Sequence, residues 1–218
     1  TSFLINNIAV AETQSQEEFS LGWNDTNDGN FSDLIVKIEQ TDNQLPLGTN
    51  LQNSTQAELI DLTDLTQSVV TANFSVFREA AFNNEVYFYK VDADGKVDRF
   101  DPNTNIYQKS ALDNLVKDAV TGEIVKFSAA NQGVKSGTAQ IETGSIIAPL
   151  IIVNGSLDQL TDSDSSNNPE IYFPYSGANA DGVDHIRLLA DNTFGFEDLP
   201  NGGDSDYNDL IVKINFSI

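Results

Sequence analysis

The chain has 218 residues, with 33 Asp and Glu against 11 Lys and Arg, one His, no Cys and no Met, and a formal net charge of −22. So acidic a chain is a poor partner for nucleic acid and for anionic membranes, and without cysteine it has no disulfide framework, no thiolate zinc site and no thiol nucleophile. With 39% hydrophobic residues, 13 Phe and 6 Tyr, it is still too apolar for a disordered acidic tail.

From the N-terminus the pattern is strand and turn. Residues 2–10, 17–23, 33–39, 57–62, 68–78 and 85–91 are β-branched or aromatic and bounded by Asn, Asp, Gly or Pro. Asp92-Ala93-Asp94-Gly95 marks a hairpin turn before a strand at 96–100. One helix is expected: Ser110 as N-cap precedes Ala111, Leu112, Leu115, Val116 and Ala119 at helical spacing, ending near Thr121-Gly122. Strands resume at 123–128, 138–142 and 146–153. The last is the longest apolar run; Pro149 interrupts it, and it falls far short of the roughly 20 residues a membrane helix needs, so it reads as a buried strand. A polar loop without periodicity fills 158–169, and strands follow at 170–175 and 184–190. The expectation is an all-β fold: an antiparallel β-sandwich, jelly-roll-like, with one short helix, in a single domain over 1–218. The first residue, Thr1 rather than Met, reads as the start of an excised or processed fragment.

One internal repeat is sharp. Asp33-Leu34-Ile35-Val36-Lys37-Ile38 recurs as Asp209-Leu210-Ile211-Val212-Lys213-Ile214. Upstream, Gly22-Trp23-Asn24-Asp25 matches Gly195-Phe196-Glu197-Asp198, and Asp28-Gly29-Asn30-Phe31-Ser32 matches Asp204-Ser205-Asp206-Tyr207-Asn208. Each copy has an aromatic strand end, an Asp/Asn/Gly-rich loop, an aromatic, and an Asp opening a β-branched strand. A spacing of about 175 residues is too long for a solenoid, so the copies read as two related hairpins.

The acidity is of a particular kind. Asp outnumbers Glu by 22 to 11, and Asn is about as common as Asp. These short side chains present oxygen close to the main chain and tolerate left-handed turns. The C-terminal loop places Glu197, Asp198, Asp204, Asp206 and Asp209 within 13 residues, with Asn208 among them. Hard cations such as Ca²⁺ take six to eight oxygens, and such a loop could fold them together across Gly202-Gly203. Without a cation two carboxylates about 5 Å apart repel by roughly 3 kcal/mol at an effective dielectric near 20. A solvated acidic turn is the plain alternative. Against it, Asp25, Asp28, Asn30 and Asp33 keep oxygen-bearing residues at matching positions of the first copy, where a merely soluble turn needs only polarity. Ca²⁺ is therefore the expected cofactor at both loops.

Other chemistry has less support. Residues 90–101 resemble an EF-hand loop only loosely: Lys90 and Asp101 stand at its first and last positions, so a hairpin turn is the better reading. There is no Gly-x-Ser-x-Gly elbow, phosphate loop or His-Glu-x-x-His pair, and the lone His185 reads as orienting a neighbouring loop through a carboxylate. Paired acids for glycoside hydrolysis are uninformative among so many carboxylates. Asp101-Pro102 is an acid-labile bond type and offers thin support for calcium-triggered autoprocessing.

The stretch at 172–187, Tyr172-Phe173-Pro174-Tyr175 through Asp181-Gly182-Val183-Asp184-His185-Ile186-Arg187, followed by Phe194-Gly195-Phe196-Glu197-Asp198 and residues 204–213, resembles the domain of unknown function 4114 family. Glu79-Ala80-Ala81-Phe82-Asn83-Asn84-Glu85 and the strand after it are similar to that family's opening strands, so the resemblance runs over 68–216 and leaves 1–67 as an N-terminal extension carrying the first motif copy. It implies a secreted or cell-surface setting in cyanobacteria and other bacteria, beside RTX calcium repeats or adhesin modules. No activity comes with it.

The expected function is thus a non-enzymatic, calcium-binding extracellular module of a bacterial surface, adhesin or matrix protein, with glycans or other surface proteins as partners. A calcium-dependent lectin is the alternative, Trp23 and the tyrosines being able to stack on sugars. Self-repulsion at −22 makes a monomer the default.

Overall fold

The computed structural model describes residues 45–52, 54 and 56–218 in full; in the first 44 residues it describes the backbone of four strands. The chain divides into two compact units, Thr1–Gln44 and Leu45–Ile218, where the sequence reading carries one domain through all 218 residues. In the first unit β1 (Ser2–Ile5), β2 (Ile8–Glu12), β3 (Glu18–Trp23) and β4 (Leu34–Glu39) form an antiparallel sheet in chain order. The run expected as one strand at 2–10 is two, paired Ile5↔Ile8. Asn6-Asn7 between them is a turn-favouring pair that the apolar pattern hides.

The second unit holds two five-stranded antiparallel sheets, the all-β arrangement expected from the sequence. One contains β5 (Ile60–Asp61), β7 (Glu85–Val91), β8 (Lys126–Phe127), β10 (Ile146–Ile152) and β11 (Ile171–Tyr172). The other runs in the order β12 (Ile186–Ala190), β13 (Thr193–Phe196), β14 (Leu210–Ser217), β6 (Val69–Arg78), β9 (Gly133–Glu142). Their facing sides share one core. Val70, Ala72, Val76, Phe194, Val212 and Ile214 meet Val86, Phe88, Ile147 and Ile151 there, with Phe88 edge-on to Phe194 at 5.6 Å.

The first sheet is buried on both faces, which explains its unbroken apolar strands. Its other face carries Tyr87, Tyr89, Ala148, Leu150 and Ile152 beneath α1 (Tyr107–Asp113) and Phe173. Leu150 and Ile152 each contribute about 1.5–3 kcal/mol by burial. Pro149 fits inside β10 because β5 pairs only at Ile146 and Ile147 and β11 only at Ile151 and Ile152. Between them that edge has no ladder bond for a proline to lose.

The helix differs from its expected place. It starts after Ile106, not Ser110, and Leu115 and Val116 leave it to pair with β7, Val116 N–H donating to Phe88 O at 2.8 Å. Sheet pairing overrides the helical spacing, and buried Tyr107, whose hydroxyl donates to Gly95 O at 2.8 Å, anchors the start. A second helix, α2 (Leu157–Thr161), opens the segment expected to be loop. Its signal was Ser156 followed three residues later by Gln159, whose Oε1 accepts from Ser156 N–H at 3.0 Å. The strand expected at 96–100 is instead a tight return, with Asp98 and Arg99 at positive φ.

Candidate metal centre

β13 and β14 pair Phe196 with Leu210, so the loop between them begins at Glu197 and ends at Asp209, at one end of the second sheet. There the carboxylates of Glu197, Asp198 and Asp209 converge, each offering an oxygen within 4.8 Å of the others. A second trio, Glu197, Asp204 and Asp206, satisfies the same limit and shares Glu197. Oxygens bound to one Ca²⁺ at about 2.4 Å can be no more than about 4.8 Å apart, so either trio could share an ion. Glu197 and Asp198 are 1% and 3% exposed, which sets the inner trio apart from an ordinary acidic turn.

The surroundings explain how two carboxylates come to be buried together. Asn84 donates to Asp198 Oδ2 at 2.6 Å, and Asp198 N–H donates to Asp209 Oδ2 at 2.8 Å. Glu197 accepts weakly from Leu199 N–H at 3.4 Å and from Ser205 N–H at 3.2 Å. The loop bends tightly around it, with Asn201, Gly202, Gly203, Ser205 and Tyr207 all at positive φ. A Cβ on Gly203 would lie 2.1 Å from Glu197 Oε1, so the carboxylate packs against bare backbone. Tyr207 is held by its hydroxyl on Asp184 O at 3.2 Å and by the Arg187 guanidinium 4.2 Å over its ring.

Charge is poorly balanced here. Among the described residues no Lys, Arg or His forms an ion pair with Glu197, Asp198, Asp204, Asp206 or Asp209. Desolvation, then the charge of Asp209, pushes the Glu197 carboxyl up to about 7. Burial also raises Asp198, against the opposing hydrogen bond from Asn84 and the charge of buried Arg78. The donors are all oxygen, which matches a hard cation such as Ca²⁺ and not a thiolate- or imidazole-seeking metal.

The structure thus brings together five of the expected C-terminal ligands in two overlapping trios. Asn208 turns to Asp206, donating through its side-chain amide at 2.6 Å and its main chain at 3.1 Å. Asp25, Asp28, Asn30 and Asp33 lie outside the described residues. Sequence reasoning missed Asn84, which arrives from 114 positions away with no local signal. His185 does orient a loop: Asp181 Oδ2 lies 2.9 Å from its Nε2 and accepts from Asn201 N–H at 2.8 Å. Asp92 spends one carboxylate oxygen on Asp94 and Lys96 N–H groups, as a hairpin turn requires.

Residues 141–217 match the family model of a domain of unknown function, DUF4114. The DUF4114 match takes in β10 to β14 and the whole acidic loop. It begins well inside the 68–216 span over which the sequence resemblance is drawn, so Asn84 and β6 lie upstream of it. No curated protein and no solved structure is significantly similar to the chain.

Proposed function

We propose that the chain is a calcium-binding extracellular β-sandwich module of a bacterial surface, adhesin or matrix protein, in which Ca²⁺ binds the loop between β13 and β14. The observation that carries this reading is the inner trio: Glu197 and Asp198 are buried side by side against Asp209 with no ion pair from a described cationic residue. Bringing three carboxylates together against only the charge of Arg78, which forms no ion pair with them, is unfavourable, and a dication offsets the repulsion among them. Asp204 and Asp206, both exposed, would complete an outer shell through shared Glu197. The extracellular bacterial setting rests on the family resemblance alone.

Ion binding at this place would act on stability. The loop joins two adjacent strands of the second sheet, and the unfolded chain has no assembled trio, so the ion binds only the folded form. At a concentration 100 times Kd it adds about 2.7 kcal/mol. Thermal unfolding in EDTA, then in millimolar Ca²⁺, with Mg²⁺ as control, tests the proposal. A calcium-specific rise of several degrees is expected, and an unchanged Tm would refute it.

A further inference from the structure

One cation stands beside the acidic loop without bonding to it. β6 ends at Arg78, which pairs with Leu210, and Leu210 pairs on its other side with Phe196. Arg78, Leu210 and Phe196 therefore form one row across three strands, and all three are buried. The acids lie one step beyond that row. Glu197 and Asp198 follow Phe196, Asp209 precedes Leu210, and Glu79 N–H, next after Arg78, donates to Asp209 O at 3.1 Å.

A guanidinium carries five N–H donors. In Arg78 Nη1 donates to Asn83 Oδ1 at 2.7 Å, while Nε is buried and has no hydrogen-bond partner among the described residues. A buried cation that makes no ion pair and leaves a donor unused is unfavourable unless nearby anions offset it. Asp198 is such an anion, its ionised form being favoured by the charge of Arg78.

Two consecutive asparagines hold these charges separately. Asn83 accepts from Arg78, and Asn84 donates to Asp198 Oδ2 at 2.6 Å. Asn154 fixes both: its side chain accepts from Asn83 N–H at 3.4 Å, and its own N–H donates to Asn84 Oδ1 at 3.1 Å. A direct pair between Arg78 and Asp198 would occupy an oxygen that an ion needs. Held on Asn83, the guanidinium acts on the acids through its field alone.

We propose that Arg78 sets the affinity of the acidic site: its fixed charge balances part of the carboxylate charge when no ion is bound and opposes a divalent cation when one is. This rests on the calcium reading above and adds to it that the site binds more weakly than its carboxylates alone would dictate. Calcium affinity follows the charge gathered around the ion, and Arg78 subtracts from that charge without displacing a ligand.

The test uses the full chain at pH 8, above the Glu197 pKa of about 7. Arg78→Met and Arg78→Gln remove the charge, Met keeping most of the buried stem. Arg78→Lys keeps the charge and loses the planar fork. Calorimetric titration with Ca²⁺ should show binding at least about fivefold tighter in the neutral variants and within about twofold of the parent for Lys. A residue that merely supported the loop would act the other way, and all three replacements would weaken binding. In a second arm, in EDTA, the change in Tm caused by Arg78→Met is measured in the parent and in Asp198→Asn. It should be less favourable in the parent, because Asp198→Asn removes the carboxylate on which the cation acts. Unchanged or weaker calcium binding by the neutral variants, or equal Tm changes in the two backgrounds, overturns the inference. A parent without a calcium-specific response refutes the calcium reading and with it the role in affinity, whereas the EDTA arm still shows whether Arg78 is the counter-charge of Asp198.

Discussion

Glu197 and His185 hold each other by two hydrogen bonds: Glu197 N–H donates to His185 O at 2.9 Å, and His185 Nδ1 lies 3.0 Å from Glu197 O. A carbonyl can only accept, so Nδ1 carries a proton and donates. The same ring stacks on Tyr172 at 3.5 Å and reaches Asp181 through Nε2. The imidazole, 0% exposed, thus ties β13, the segment before β12 and the turn at Asn201 into one unit behind the acidic loop.

Replacing that ring should therefore cost stability first. His185→Ala opens a cavity under Tyr172 and leaves the Glu197 carbonyl without its Nδ1 donor and the Asp181 carboxylate without its Nε2 partner. A loss of about 3 kcal/mol is expected from urea unfolding at fixed pH. Asp181→Asn, which keeps the shape and one acceptor, should lose less than half of that. Equal losses would mean that the ring's packing contributes nothing of its own.

The raised Glu197 carboxyl predicts an inverted pH dependence in the absence of metal. Its folded pKa, about 7, stands above its ordinary 4.5, so its contribution to stability is complete below about pH 4.5 and is lost as pH rises through 7. Asp118 and Asp181 are held below the ordinary carboxylate range by hydrogen bonds from neighbouring N–H groups and, for Asp181, His185, so their own contributions are already complete by pH 5. In EDTA Glu197 alone should cost the domain about 3 kcal/mol between pH 5 and 8, and the raised Asp198 and Glu58 carboxyls act in the same direction. Saturating calcium should flatten this slope, because the bound form needs the ionised carboxylates throughout. The measurement is Tm against pH, with and without Ca²⁺.

Neutralising the inner trio should separate repulsion from binding. Glu197→Gln removes a buried charge that Asp209 and Asp204 oppose. At pH 7.5 in EDTA the variant should be more stable than the parent by about 1–2 kcal/mol, while its calcium response disappears. Asp206→Ala, at an exposed position of the outer trio, should leave the EDTA stability within about 0.5 kcal/mol and only weaken the response. A variant at Glu197 that loses stability in EDTA and still responds fully to calcium would count against the inner trio as the ion's seat.

Much of this site is legible in sequence because its acids crowd into one short loop between two strand signals. What the loop cannot reveal is which acids are buried. Glu197 and Asp198 look no different in sequence from Asp204 and Asp206, yet only the first pair is enclosed, by Asn84 from a distant turn and by His185 behind. The fold divides in the same way. The apolar run at β10 announces a buried strand, and the repeat announces paired hairpins. Leu115 and Val116, with helical spacing, become strand partners of β7 because that edge lacks a neighbour beyond β8, a fact only the assembled sheet contains.

Gly203 gives the most local test of the loop. Its φ of 45° disfavours any side chain, and a Cβ would meet Glu197 Oε1 at 2.1 Å. Gly182 has φ of 72° but nothing within 4 Å of its Cβ position, so it reports backbone strain alone. Gly182→Ala should cost about 1 kcal/mol and leave the calcium response intact. Gly203→Ala adds the collision: the Glu197 carboxylate must swing away from Leu199 and Ser205 N–H, and the inner and outer trios both lose the residue they share. Calorimetric titration of the two variants with Ca²⁺ should therefore show near-parental binding for Gly182→Ala and a loss of at least about tenfold in affinity, 1.4 kcal/mol, for Gly203→Ala. Parental binding by both would mean that the ion does not use Glu197 in the position the loop gives it.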